Sequence, residues 1–290
     1  MKSTSIIAIF GFVASALARG HTRRSVRNGI NGGNGASGGN GGNDVQAHEV
    51  NPTKDVPRPH IGNVPYGEII TSCTEPDAVA VTYDDGPGTL MNKLLDMLAE
   101  AKAKVTFFHT GVNIESQPAA IQRAYREGHQ LAQHTWSHGH LPLLNRTKFL
   151  DEIYRPEEAL VKVLGVFPTY IRPPYGECDE RCQTLLGELG YHVIRWNIDT
   201  QDWKGDMDAS KKIVSEQLTK AIQGPNVLAH EHDKTIDILT SHIINVAKSQ
   251  GLKMVTIGEC LGDDPKNWYR TGPRLEAVRT QQEDDVQRQI

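Results

Sequence analysis

The sequence predicts an α/β protein, an incomplete (β/α) barrel with about seven parallel strands. Two observations carry that prediction. Apolar runs of strand length recur at 79–83, 104–108, 130–133, 169–172, 192–198, 226–229 and 253–257. Helix-period stripes lie between several of them. Strands alternating with helices imply a parallel sheet buried on both faces. Seven strands in about 185 residues suit one barrel short of full closure better than two domains. An open doubly wound sheet is the alternative.

The helical stripes are plain in the chain. Leu90, Leu94, Leu95 and Leu98 share one face. Ile213, Val214, Gln217, Leu218, Ala221 and Ile222 share another, and Ile236, Leu239, Ile243 and Val246 a third. Each is read as core packing.

The ends of the chain read differently. Lys2, the apolar stretch 6–14 and Ala16-Leu17-Ala18 form a secretory signal over 1–18, cleaved after Ala18. Residues 28–43 hold eight Gly and five Asn, so the stretch can bury almost nothing against its backbone entropy. Residues 19–70 are therefore expected to be a flexible segment, with Arg23-Arg24 either a processing site or a solvated pair. Gly33, Gly35 and Gly38 match a dinucleotide fingerprint by spacing, and Gly35, Ser37 and Gly39 a nucleophile elbow. Neither has the strand before and helix after that its chemistry requires. Residues 264–290 are expected to be a polar tail, leaving 71–263 as the catalytic domain.

Composition excludes two classes of partner. The net charge is −4 and the pI about 6.3, which argues against affinity built on phosphate neutralisation. No apolar run approaches the roughly 20 residues of a spanning helix. Neither a nucleic acid nor a membrane is expected as partner.

Four cysteines, Cys73, Cys178, Cys182 and Cys260, in an exported chain suggest two disulfides. Three pairings are open. Cys178 and Cys182 can close a small loop, and Cys73 with Cys260 can tie the start of the periodic region to its end. A four-cysteine zinc site competes. Asn145-Arg146-Thr147 is a glycosylation sequon at Asn145; otherwise Thr147 caps the next helix.

Polar residues collect at the strand ends. Asp84-Asp85 follow the first predicted strand and His134 the third. Arg172 ends the fourth, Asp199 follows the fifth and His230 the sixth. In a parallel barrel these ends share the face that carries active sites. His134 and His138, four apart, point the same way if they lie on a helical turn and can bind one metal. Adjacent carboxylates repel unless a positive group sits beside them. Two His and one Asp make an open zinc set that leaves room for water and lowers its pKa to about 7. The second Asp is then free as a base, with Arg172 keeping it ionised. His230 can protonate a leaving group, with Asp199 holding it and raising its pKa.

These residues carry a resemblance. T-Y-D-D-G-P (82–87), H-T-W-S-H (134–138), R-P-P-Y-G (172–176), D-T-Q-D-W (199–203) and V-L-A-H (227–230) resemble, in order, the motifs of polysaccharide deacetylases, the family 4 carbohydrate esterases. G-E-C-L-G-D (258–263) and the cysteines at 178 and 182 look most like the fungal chitin deacetylase branch. The resemblance implies a distorted barrel and Zn²⁺, or Co²⁺ or another divalent ion, held by Asp85, His134 and His138. It implies Asp84 as general base, Arg172 as its tether, His230 as general acid and Asp199 as the group tuning it. The backbone N–H of Tyr175 would donate to the oxyanion, and Trp203 and Leu228 would line the acetyl pocket. His109, His140 and His232 match no ligand position, and Asp202 takes no assigned role. The implied substrate is chitin or chitooligosaccharide and the implied enzyme a secreted monomer. Peptidoglycan and O-acetyl xylan are the competing substrates, and a non-catalytic wall-binding protein the competing class.

Overall fold

A computed structural model describes residues 52–219 and 223–273. The signal segment 1–18, Arg23-Arg24, the Gly/Asn tract, Ala221 and Ile222 of the second stripe, and 274–290 lie outside the described residues.

The strands are β1 (Ile69–Ile70), β2 (Ala78–Asp84), β3 (Thr106–His109), β4 (Gln130–Gln133), β5 (Val166–Pro168), β6 (Tyr170–Ile171), β7 (His192–Ile194), β8 (Ile198–Asp199), β9 (Asn226–His230), β10 (Lys253–Val255) and β11 (Tyr269–Thr271). The helices are α1 (Met91–Ala101), α2 (Gly111–Ile114), α3 (Pro118–Arg126), α4 (Arg146–Leu164), α5 (Glu180–Glu188), α6 (Met207–Gln217), α7 (Thr240–Ser249) and α8 (Ile257–Cys260). Nine strands form one sheet in the order β1-β7-β6-β4-β3-β2-β9-β8, with β10 beside the start of β2. All its pairs are parallel. The incomplete parallel barrel is thus the fold, and the open doubly wound alternative is not.

The run 192–198, read as one strand, is two. β7 and β8 follow each other in the chain yet lie near opposite ends of the sheet. Residues 195–197 leave the ladder to cross between them. The carbonyl of Arg195 accepts from Asn226 Nδ2 at 2.8 Å, and the same amide reaches the Thr71 carbonyl at 3.3 Å. Side-chain amide bonds therefore stitch the two edges where strand pairing stops, which satisfies backbone groups otherwise orphaned there.

Strand alternation sorts the side chains. In β2, Val79, Val81 and Tyr83 face the helix layer, in one core with Leu94, Leu95 and Leu98 of α1. Burying each such Leu contributes about 1.5–3 kcal/mol. Ala78 and Ala80 face the interior with Phe108, Ala132 and Ile194. Thr82 and Asp84 follow the same parity. In β9 the same rule puts Leu228 and His230 inside, and the register pairs Asp84 with His230. Small interior alanines leave room for one large polar side chain, the fully buried Arg172.

Both domain boundaries move outward. Within 52–70, Arg58 makes a two-pronged ion pair with the fully buried Glu157 side chain, both bonds at 2.8 Å. β1 then joins the sheet beside β7. Past 263, Trp268 and Arg270 are buried and β11 pairs antiparallel with β5. These stretches fold because a few apolar or paired residues dock on the body, although their composition reads as polar.

Cys73 bonds Cys260 and Cys178 bonds Cys182, so the four-cysteine metal site is excluded. The cap of α4 is Asn145, whose side chain accepts from the Lys148 N–H at 3.0 Å, rather than Thr147. No helix among the described residues is long and apolar enough to cross a membrane.

Candidate active site

The C-terminal strand ends open into a cavity of about 440 Å³ lined by Asp84, Asp85, His134, His138, Tyr175, Trp196, Asp199, Trp203, Leu228 and His230. Asp84 is the last residue of β2 and is almost fully buried. Its Oδ1 accepts from Arg172 Nη1 at 2.6 Å. The same nitrogen donates to Thr82 Oγ1 at 2.6 Å, and Nη2 to the Arg195 carbonyl at 3.1 Å. The guanidinium also lies over the Phe108 ring, 4.1 Å from its centroid. Burial pushes the Asp84 carboxyl above its ordinary value; Arg172 first, then His230, pull against that rise. The result is a carboxylate held in place yet still basic enough to take a proton.

Asp85, His134 and His138 offer one ligand atom each, all within 4.8 Å of one another. Asp85 Oδ1 lies 3.6 Å from His134 Nε2 and 3.5 Å from His138 Nε2. A tetrahedral ion with bonds of about 2.0–2.2 Å sets its ligand atoms about 3.4 Å apart, so these separations fit one cation. Two further observations favour it. Asp85 Oδ1 is buried with no hydrogen-bond partner, which is costly unless something positive meets it. His134 Nδ1 lies 2.7 Å from the Arg172 carbonyl, which fixes the proton there and leaves the Nε2 lone pair facing the group. Burial, with the neighbouring His138, lowers the His134 pKa to about 3 against the pull of Asp85, so the ring is neutral as a ligand must be.

The two histidines do not sit on a helical turn. Residues 134–140 form an irregular loop after β4. Thr135 (φ 65°) and His138 (φ 60°) take left-handed backbone there, as do Asp85 (φ 71°) and Tyr175 (φ 59°). Such conformations cost about 1–3 kcal/mol each for non-glycine residues and gather at functional sites.

Beside Asp84, at the end of the neighbouring strand β9, stands His230. Its Nδ1 lies 2.7 Å from Oδ1 of Asp202, whose Oδ2 accepts from the His230 N–H and from Thr235 Oγ1, both at 2.7 Å. Burial alone would lower the His230 pKa. The bond and charge of Asp202, with Asp84 and Asp85, outweigh it and raise the value to about 9. Asp202 is correspondingly held below the usual carboxylate range: burial would raise it, and His230 and Thr235 overcome that.

This corrects the expectation for Asp199. It lines the cavity, but its Oδ1 accepts from the Gln201 N–H at 2.8 Å, and it does not bond His230. The left-handed turn at Gln201 (φ 53°) leads into a short 3-10 turn, Asp202–Lys204, that carries the second aspartate inward instead. Of the two aspartates in D-T-Q-D, the second, not the first, bonds His230.

Leu228 is buried in the wall and Trp203 stands at the rim, 55% exposed, rather than in the core. Trp196, unnoticed in the sequence, lines the cavity too; its indole is 5.6 Å from the Arg172 guanidinium. Nothing in the sequence marks it, because 192–198 reads as one strand. The three histidines that match no ligand position each lie near a carboxylate. His109 lies 3.4 Å from buried Glu231, His140 bonds Glu177 at 2.8 Å and stacks on Tyr175, and His232 Nε2 lies 3.8 Å from Asp85 Oδ2.

A barrel mouth holding an Asp-His-His cluster, a buried Asp–Arg pair and an Asp–His pair is the arrangement of a hydrolase, and the chain belongs to the polysaccharide deacetylase family. The family model of that name matches residues 71–194. A chitin deacetylase of a Pestalotiopsis species is 41% identical over 215 residues, covering 72% of this chain and 72% of that protein. The solved chitin deacetylase of Colletotrichum lindemuthianum superposes with a TM-score of 0.70 at 38% identity, covering 75% of this chain and all of that one. The peptidoglycan-N-acetylglucosamine deacetylase PgdA of Listeria monocytogenes is 33% identical over 186 residues, 64% of this chain and 39% of that protein.

Proposed function

We propose that this polysaccharide deacetylase is a secreted, metal-dependent chitin deacetylase. It hydrolyses N-acetyl groups of β-1,4-linked N-acetylglucosamine polymers, releasing acetate and leaving a free amine. The observation that carries the reading is that two supported polar groups, Asp84 with Arg172 and His230 with Asp202, stand side by side on adjacent strand ends in one cavity, next to a cluster that could hold a cation.

Asp85, His134 and His138 would hold Zn²⁺ or a similar ion, supplying a Lewis acid for the acetyl carbonyl and acidifying water. Asp84 takes the proton of the attacking water, and Arg172 keeps its carboxylate oriented and available. The Tyr175 N–H donates to the oxygen of the tetrahedral intermediate. His230 gives its proton to the departing nitrogen as the C–N bond breaks, and Asp202 stabilises the imidazolium that does so. Leu228 and Trp203 offer apolar surface to the acetyl methyl.

Export is supported by the signal-like start at 1–18 and by the two disulfides, which persist in oxidising compartments. The exposed Asn145 remains a glycan acceptor in this reading, because its cap uses Oδ1 and a glycan would use Nδ2. The higher identity to the Pestalotiopsis enzyme favours chitin, and the Listeria relative keeps peptidoglycan as second substrate.

Mass spectrometry of defined chitin oligomers, with and without chelator, tests the reading. Acetate loss that chelator abolishes and Zn²⁺ restores is the expected result. Deacetylation of peptidoglycan fragments but not chitin would transfer the assignment to the second substrate.

A further inference from the structure

The cavity contains one carboxylate that the scheme above leaves without a task. Asp199 ends β8 and is half-buried in the wall that also carries Leu228 and His230. The Gln201 N–H takes its Oδ1 at 2.8 Å, closing an Asx turn that fixes the side chain. Among the described residues no donor reaches the other oxygen and no cation pairs with the group. His230, the obvious basic partner, is already bonded to Asp202.

The register partner of Asp199 on β9 is the apolar Leu228, and Trp196 and Trp203 line the same cavity. A ligand filling the cavity covers that free oxygen. Desolvating a carboxylate oxygen without a donor is costly. The ligand must therefore bring the donor. The acetyl methyl has none, the acetamide carbonyl is itself an acceptor, and the acetamide N–H sits on the nitrogen that His230 must reach, the acid already bonded to Asp202. The hydroxyl groups of the sugar ring that bears the acetamide are donors within a few bonds of the reacting carbon.

Resting on the deacetylase reading above, we infer that Asp199 accepts a hydrogen bond from a hydroxyl of the sugar unit carrying the reacting acetamide, and so sets that unit in register with Asp84 and His230. Asp199 is then a substrate-positioning residue that acts on the sugar and not on the acid.

Asp199→Asn tests this with little threat to the fold. The Asn carbonyl keeps the bond from Gln201, while its amide turns a donor toward the ligand in place of an acceptor. We measure kcat and KM of wild type and variant on chitotetraose and on an aryl acetate, which has the acyl group but no sugar. A hydrogen bond to a charged group is worth about a tenfold to hundredfold change in equilibrium. The ratio of kcat/KM for the tetramer to that for the aryl acetate falls by that factor, mainly through KM. The limbs of the pH profile stay in place, and bound metal stays stoichiometric. Equal losses on both substrates, a displaced alkaline limb, or no loss on the tetramer overturn the inference. A loss confined to partly deacetylated chains also overturns it, because it assigns the oxygen to an ammonium. Wild type inactive on the tetramer sinks the deacetylase reading and this inference together; an active wild type with an unchanged ratio in the variant sinks only the inference.

Discussion

Asp84 and His230 are register partners on adjacent strands β2 and β9, and each is held by a second side chain of opposite charge. The pairing places the proposed base and the proposed acid at one mouth without any loop having to bring them together. Arg172 holds the first and Asp202 the second, Arg172 pulling the Asp84 carboxyl down against burial and Asp202 raising His230.

Removing the support of the acid exposes it to burial. His230 is raised to about 9 from an ordinary 6.5, chiefly because Asp202 outweighs desolvation. Asp202→Asn removes that charge, so the alkaline limb of the kcat/KM profile, which reports loss of the acid proton, moves down by one unit or more. Activity at pH 8 falls by about 10²–10⁴-fold. An alkaline limb that stays put would remove Asp202 from the mechanism.

The same coupling predicts how stability changes with pH. The folded value of His230 exceeds its unfolded value, so its contribution is whole below pH 6.5 and is lost as pH rises towards about 9. The melting temperature of wild type therefore drops more steeply between those limits than that of His230→Gln. Parallel curves would refute the assignment.

Asp84→Asn removes the proposed proton acceptor and keeps the side-chain shape. Turnover falls by about 10²–10⁴-fold while metal content is retained, since the three ligand residues are untouched. Measuring zinc by elemental analysis beside initial rates checks both halves; turnover near wild type would discard the proposed base.

His134→Ala and His138→Ala each delete one ligand of the cluster. The expected outcome is loss of stoichiometric metal and of activity, with chelated wild type recovering on added Zn²⁺ or Co²⁺. Titration of apoprotein by calorimetry gives the comparison. Metal bound equally tightly by both variants would place the ion elsewhere.

The two disulfides should differ in weight. Cys73–Cys260 closes a loop with a sequence separation of 187, against 4 for Cys178–Cys182. Replacing the first pair by alanine costs about 2–5 kcal/mol in urea unfolding, and the second less, because the longer loop removes more entropy from the unfolded chain. The reverse order would mean that the short bridge holds the Tyr175 turn.

Much of this site was legible because parallel strands deliver their ends to one face. Asp84, His134, Arg172 and His230 each follow an apolar run that the eye can find, and the structure brings all four together. Asp202 was not legible. It differs from Asp199 by three positions, and only the left-handed turn at Gln201 decides which carboxylate reaches His230. Trp196 was hidden for a related reason: residues 192–198 look like one strand, and nothing local announces that the chain leaves the sheet at Arg195.

Local sequence by itself determined where most of the sheet's longer strands and the helical stripes fall, and which polar residues stand at strand ends. These follow from alternation of side chains along one extended segment. Tertiary structure alone decided that 52–70 and 264–271 dock on the body, that β7 and β8 lie near opposite ends of the sheet, and that Asp202 grips the acid. Those outcomes depend on contacts between segments far apart in the chain or on a single backbone turn, and their free energy is not written in any one stretch of residues.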